Sequence, residues 1–457
     1  MRVLARLSLF AATAALLLGC VAEEQDRTPE PPEHRIPVSI ATSLSRPALD
    51  LDVEQAEALV AGDIDSWAAL TGQDEPLRVV RADDAPDEAI AAVLADDAAI
   101  ALLPADRTRP TVRPATVGGL DPLDDDYPLT TSSDRPLDAH ARVLIGGDVM
   151  LGRRVGANLA QRGDLSAVWS GIGDLLAAAD ATFVNLESTL STAGPPQQGS
   201  DSFGADPGVL SGMRDAGIDV VGLANNHVGD YGTEPMLTTF RLLRDAGFAV
   251  VGAGEDLASA REPAIVDAAD VRIGFYATDS IGETPAASPD SPGTNRIDAP
   301  PRTGPTIDQT ALQRARDDIT TLATQVDLVI VVPHWGTQYT NVPEPSQREM
   351  ARAFTDAGAD AVVGGHPHWV QGWEQHEDAT VVHSLGNLVF DMDFMRETQE
   401  GILVEVLATR DQVLGVRPLP YVIDESFTPR PVEGERAAVI LELARQASSP
   451  PFDGGLP

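Results

Sequence analysis

The sequence predicts an α/β protein, with a layered main domain over residues 141–410 preceded by a small α/β module over 38–120. Three observations carry that expectation. From residue 141 onward, short and nearly continuous apolar runs alternate with amphipathic stretches of helical period, the pattern of a sheet covered by helices. Polar residues with ligating chemistry gather where those runs end, and sheets of this kind place ligands at the carboxyl ends of their strands. The chain has 457 residues and is 43% hydrophobic, enough for two or three domains, each with its own core.

Taken in order, residues 1–20 read as a lipoprotein signal peptide. Arg2 and Arg6 give a basic start, residues 7–18 form an apolar stretch too short to span a bilayer, and Leu17-Leu18-Gly19-Cys20 closes it. That ending resembles the lipobox of bacterial lipoproteins. It makes Cys20 the expected lipidation site and places the protein on the extracytoplasmic face of the cell membrane, attached through a lipid anchor. Cys20 is the only cysteine, so neither an intrachain disulfide nor a cysteine-based metal site is available.

Residues 21–37, with Glu23-Glu24 and Pro29-Glu30-Pro31-Pro32-Glu33, are expected to be a disordered tether. In the 38–120 module, helical patterns at 53–61 and 86–95 alternate with apolar runs at 77–80 and 98–103. Its stretch 51–67, ending in Gly62-Asp63-Ile64-Asp65-Ser66-Trp67, resembles part of periplasmic phosphate-binding proteins. A reduced solute-binding lobe and a packing module without a ligand are both open. Residues 121–140, with Asp124-Asp125-Asp126-Tyr127-Pro128 and Thr130-Thr131-Ser132-Ser133, read as a linker, and 411–457 as a C-terminal extension.

The balance of 70 acidic against 32 basic residues gives a formal charge of −38. A surface of that sign argues against nucleic acid as a partner, and against adhesion to anionic lipid through the folded surface.

Within the main domain, strands are expected at 142–145, 181–184, 219–223, 248–252, 327–332, 361–363 and 380–383. Helices are expected at 166–179, 207–216, 234–246, 307–324 and 346–357. The strand ends carry Gly147-Asp148-Val149-Met150-Leu151-Gly152-Arg153, Asn185-Leu186-Glu187, Ala224-Asn225-Asn226-His227, His334-Trp335-Gly336, Gly364-Gly365-His366-Pro367-His368 and Ser384-Leu385-Gly386-Asn387. Singly, such residues cap helices, form turns or sit hydrogen-bonded in a core. Five strand ends that all supply oxygen or nitrogen donors fit a site for two divalent metals better.

These six ordered motifs resemble the CapA family of capsule and poly-γ-glutamate synthesis proteins, relatives of the calcineurin-like metallophosphoesterases. The resemblance spans residues 141–406. It implies the four-layer α/β/β/α sandwich of those phosphoesterases and a dinuclear centre of Mn, Fe or Zn. Carried over by position, Asp148 and His368 would hold the first metal, Glu187 would bridge, and Asn226, His334 and His366 would hold the second. His227 would act as the catalytic acid beside them. Arg153 and Asn225 would bind an anionic substrate. The sequence departs from the wider pattern at Met150, where Asp-x-His is common, since a thioether is a poor ligand for such cations. Glu187 also stands where Asp is usual. A weaker first site is the expected consequence.

Three functions follow as expectations. The first is a metal-dependent hydrolase or transferase acting on a phosphoester or an acyl bond of an envelope polymer. The second is a non-catalytic accessory subunit working with polyglutamate or capsule synthesis and export proteins. The third is a solute-binding lipoprotein.

Overall fold

The computed structural model describes residues 34–82 and 85–457. Cys20, the lipobox and most of the expected tether lie outside the described residues. The main domain is built on two sheets. The larger runs, edge to edge, through Ala249–Val251, Val220–Gly222, Ala181–Leu186, His140–Val149, Glu400–Thr409, Val413–Ile423 and Pro429–Pro431, with Asn387–Val389 joined to the end of His140–Val149. The smaller runs through Ala264–Ala268, Val271–Asp279, Leu328–His334, Ala361–Val363, Ala379–Val382 and Trp373–His376. From Ala249–Val251 to His140–Val149 in the larger sheet, and from Val271–Asp279 to Ala361–Val363 in the smaller, neighbouring strands pair in parallel through helical crossovers, which is why they read as unbroken apolar runs.

The sheets pack face to face. Ile145, Phe183 and Val220 of one meet Ile273, Phe275 and Ile330 of the other in a shared core, with the Phe183 and Phe275 rings stacked at 5.5 Å. The helices Arg153–Arg162, Val209–Asp215 and Thr233–Asp245 cover the outer face of the larger sheet through Val155, Leu159, Met213 and Phe240. Helices Gln309–Leu322 and Pro345–Thr355 cover the smaller sheet through Leu312, Ile319 and Phe354. The domain is therefore a four-layer α/β/β/α sandwich, as the family resemblance implied. No helix among the described residues is long and apolar enough to cross a membrane.

Several segments differ from the sequence expectation, each for a local reason. The expected helix at 166–179 is broken into Ala167–Trp169 and Gly173–Ala177, and between them stands Gly171, a poor helix former packed against the Pro429 carbonyl. The expected tether ends early, since His34–Ser43 is one strand at the centre of the N-terminal sheet. The expected linker contains Thr130–Ser133, which pairs antiparallel with that strand, and its Tyr127 and Leu129 are core residues of the module. A run of Thr and Ser reads as loop but suits an edge strand. The expected extension is integral to the fold: Val413–Ile423 is a strand pairing along Glu400–Thr409, and helix Gly434–Arg445 buries Ile440 and Ala444. The two parts of the chain touch through Arg142 on Asp124 and Arg109 on Gln412.

Two positions give direct tests. Gly147 sits where the strand carrying Asp148 passes the Gly386 carbonyl, and a Cβ there would collide with that backbone oxygen. Gly147→Ala is expected to destabilise the protein by about 1–3 kcal/mol, read from urea unfolding midpoints. Asp360 starts the strand Ala361–Val363, and its carboxylate accepts the Val329 N–H at 2.7 Å. Burial pushes its pKa up to about 6, against an ordinary 3.8. A raised acid pKa contributes stability that is full below pH 4 and lost as pH rises through 6. Asp360→Asn keeps the acceptor, so it should match the parent at pH 4 and exceed it at pH 8 by on the order of 1–2 kcal/mol.

Candidate metal centre

The strand ends of both sheets converge on one buried cleft. Asp148, at the end of His140–Val149, accepts from Asn185 Nδ2 at 2.8 Å on one oxygen and from the His366 N–H at 3.0 Å on the other. The same oxygens lie 3.8 Å from His334 Nδ1 and 3.6 Å from His368 Nδ1. Glu187, just past Ala181–Leu186, is 3.9 Å from His334 Nε2 and 3.7 Å from His227 Nε2. Asn226 Oδ1 lies 3.0 Å from His334 Nε2. The turn after Ala361–Val363 holds His366 at φ 93° and His368 at φ 58°. Backbone strain of this kind is found where a side chain must be aimed.

Fitness for a cation shows in the atoms left without partners. Both oxygens of Glu187 and both ring nitrogens of His366 are fully buried and make no hydrogen bond to any described residue. Such groups are costly in a protein interior unless a cation or proton meets them. Burial, then the neighbouring Asp148, Asp230 and Glu283 carboxylates, pushes the Glu187 pKa well above its ordinary value; burial lifts Asp148 to about 6. Burial holds His334 and His366 far below the usual imidazole range, and His368 at about 3. These are neutral imidazoles, the ligating form. Two donor sets share Glu187, one with Asp148 and His334 and one with His366 and His368, each spanning less than 4.8 Å. The residues fit a metal ion.

A family model described as "Bacterial capsule synthesis protein PGA_cap" matches residues 142–392. The chain belongs to this family. It is 30% identical over 311 residues to a Bacillus anthracis protein named "Capsule biosynthesis protein CapA", covering 66% of this chain and 72% of the relative. It is 29% identical over 299 residues to a Mycobacterium tuberculosis protein named "Probable polyglutamine synthesis accessory protein", covering 55% of this chain and 74% of the relative. A phosphate transporter substrate-binding protein from Clostridium perfringens aligns with 22% of the chain and 54% of its own length, at 18% identity and a TM-score of 0.19.

In this PGA_cap protein Asp148 faces both His368, its expected partner on the first metal, and His334. Met150 does not reach toward the donors: it lies in the outer core, its sulfur accepting the Gly152 N–H at 3.2 Å.

Asn225 was expected to bind substrate, but its amide is fully used. It donates to Asn185 Oδ1 and the Leu186 carbonyl, and accepts from the N–H groups of His227 and Val228. It shapes the loop that carries Asn226 and His227. Arg153 was also expected to bind substrate. Its guanidinium instead pairs with Asp391 and lies over the Phe203 ring at 4.5 Å, and it joins Arg154 in clamping the 390–396 loop.

Three orienting residues escaped the sequence reading. Asn387 accepts from His368 Nδ1 at 2.8 Å, which leaves Nε2 free to ligate. Asn185 steadies Asp148 from the strand Ala181–Leu186, which runs two residues past its expected end at 184. Asp230 accepts from His227 Nδ1 at 2.7 Å. All three lay inside or next to the quoted motifs, but the partner of each is distant in sequence or across a turn.

Adding manganese to metal-stripped protein is expected to raise its thermal midpoint, with about 2.7 kcal/mol of stabilisation at a hundredfold excess over Kd. His366→Ala should remove most of that rise. Because Asp148 keeps its proton up to about pH 6 in the metal-free cleft, manganese affinity should climb between pH 5 and 7. Calorimetric titration at the two pH values checks this.

Proposed function

We propose that the chain is an extracytoplasmic lipoprotein, anchored through Cys20, that performs metal-dependent hydrolysis or transfer on a phosphoester during synthesis of a capsule or poly-γ-glutamate polymer. The observation that carries the chemical part is the set of unpartnered buried donors on Glu187 and His366. The biological part rests on family membership and on the capsule and polyglutamine names of the relatives.

Asp148, Glu187, Asn226, His334, His366 and His368 would hold two divalent ions of the Mn, Fe or Zn type. Such ions supply Lewis-acid charge and lower the pKa of water. The chain's own residues do the rest. Asp230 fixes His227 with a proton on Nδ1, and this turns Nε2 toward Glu187, where it can hold and deliver a proton to a leaving oxygen. Phe203 stacks on the His227 ring at 3.8 Å, and this contact keeps bulk water from that face. Arg153, paired with Asp391, holds the 390–396 loop in place beside the cleft.

A second reading, a metal-binding accessory subunit without turnover, is favoured by one observation: Met150 stands where a ligating imidazole is common and is committed to the core.

The two readings separate in one experiment. Metal analysis of the purified protein would be followed by assays on phosphomonoesters and phosphodiesters with added manganese. The hydrolase reading expects bound metal and turnover. His227→Asn should cut kcat by about 10²–10⁴ without loss of metal, and Asp230→Asn should cut it less. Bound metal with no turnover on phosphoesters or envelope polymer would leave the accessory reading, and absence of bound metal would sink the site.

A further inference from the structure

Apolar surface on this chain is concentrated beside the centre. Of the six large hydrophobic side chains exposed among the described residues, three sit on the two loops that border the cleft: Val342 at 56%, Phe394 at 59% and Met395 at 39%. The 335–344 loop follows His334, and the 390–396 loop follows the strand Asn387–Val389. Exposed apolar side chains gathered on loops at one cleft of a strongly acidic chain mark a contact with something apolar.

The patch is continuous with the donors. Tyr339 is held at φ 62°, its N–H on the Pro367 carbonyl at 2.9 Å. Its ring stacks on His368 at 6.2 Å and meets Phe394 edge-on at 5.6 Å. On the other side of His368 lies Phe390, at 5.0 Å, and beyond it Phe203, which stacks on His227. An aromatic track therefore leads from His227 past His368 to solvent at Phe394. Tyr339 makes no side-chain hydrogen bond to any described residue, and burial, with Glu187 and Asp201 nearby, raises its phenol above the ordinary value. Ion pairs hold the loop that carries Phe394 and Met395: Arg153 and Arg154 clamp it through Asp391 and Asp393, and Arg396 at its end pairs with Glu397 and Glu400.

We propose that the substrate is an amphiphile, a phosphoester of a long apolar alcohol, with its phosphate at the donors and its hydrocarbon along Tyr339, Phe394 and Met395. This rests on the phosphoester reading above and names the class of molecule that site takes. A cation held by the donors would suit the phosphate, and the aromatic track suits the chain. Hydrolysis would add water across the P–O bond, releasing the alcohol and inorganic phosphate, and needs no further reactant. Continuity with His368 favours a ligand tail over general adhesion of the loop to a bilayer.

The test uses full-length, manganese-loaded protein and n-alkyl phosphates from ethyl to octyl, whose leaving alcohols are chemically alike. The matching alkylphosphonates serve as ligands that cannot be hydrolysed. The expected result is a kcat/KM that rises about two- to fourfold per methylene over the first several carbons. Phe394→Ser should flatten that slope, and Leu94→Ser, an exposed leucine of the N-terminal module, should leave it. Turnover with no dependence on chain length would overturn the proposal while leaving the hydrolase reading in place. Chain-length-dependent phosphonate binding without turnover would uphold the proposal and sink the hydrolase reading. Neither binding nor turnover would overturn both. If Phe394→Ser abolishes sedimentation with anionic vesicles while the slope persists, the loop is a membrane contact and the proposal fails.

Discussion

Burying Asp148 and Glu187 in one cleft is the constraint on which the rest of the site depends. Each carboxylate is out of solvent, burial raises the cost of ionising both, and the neighbouring Asp148 raises it further for Glu187. Asp148 has two hydrogen-bond donors to offset its burial; Glu187 has none. The surrounding imidazoles do not help by protonating, because their own burial keeps them neutral. A proton would relieve the charge on Glu187 but leave the His366 nitrogens unpartnered, whereas a divalent cation serves both. Asn226 Oδ1 and His334 Nε2, 3.0 Å apart, fit the same account, since two lone pairs tolerate that spacing when they share either a proton or a metal.

Geometry follows from this demand. Donors from two sheets can meet only if the sheets' carboxyl ends approach closely, and the chain achieves that with small residues. Gly147 passes under Gly386, Gly364 packs against Trp335 and the His383 carbonyl, and Gly365 lies beside Asp148. The cost is carried by the turn, where His366 and His368 accept left-handed backbone angles. Orientation is then fixed by amides rather than charges: Asn185 on Asp148, Asn387 on His368 and Asn225 on the loop of His227. Neutral partners steady the ligands without adding to the negative charge that the cation must offset.

Much of this was legible in the sequence because metal ligands sit at strand ends, where an apolar run stops and chemistry begins. Asp148, Glu187, His334, His366 and His368 were all visible in that way, and so was the alternation of a layered α/β domain, whose four layers only the family resemblance implied. What could not be read were relations between distant residues. The amide of Asn225 looked available because nothing in Ala224-Asn225-Asn226-His227 reveals that Leu186 and Asn185 consume it. Arg153 looked like an anion ligand because Asp391 lies far along the chain. The strand Val413–Ile423 was hidden by its two prolines and Gly415, which disfavour strand assignment but are tolerated near a sheet's border. Thr130–Ser133 was hidden by polarity, being paired but not buried.

The departure at Met150 changes meaning once the packing is known. As a lost imidazole it implies a weak metal position. In the folded chain its thioether fills the outer core beside Leu159 and Val155, so a histidine there would place a polar ring among apolar neighbours. Loss of one ligand lowers affinity, but preorganisation works against that loss. Asp148 is held on both oxygens and His368 on its far nitrogen before any ion arrives, so little conformational freedom remains to be surrendered on binding. The apolar mouth shares that preorganisation, because Tyr339 stacks on the same His368 ring that Asn387 orients, so the imidazole that would hold an ion also steadies the loop contact leading to Phe394.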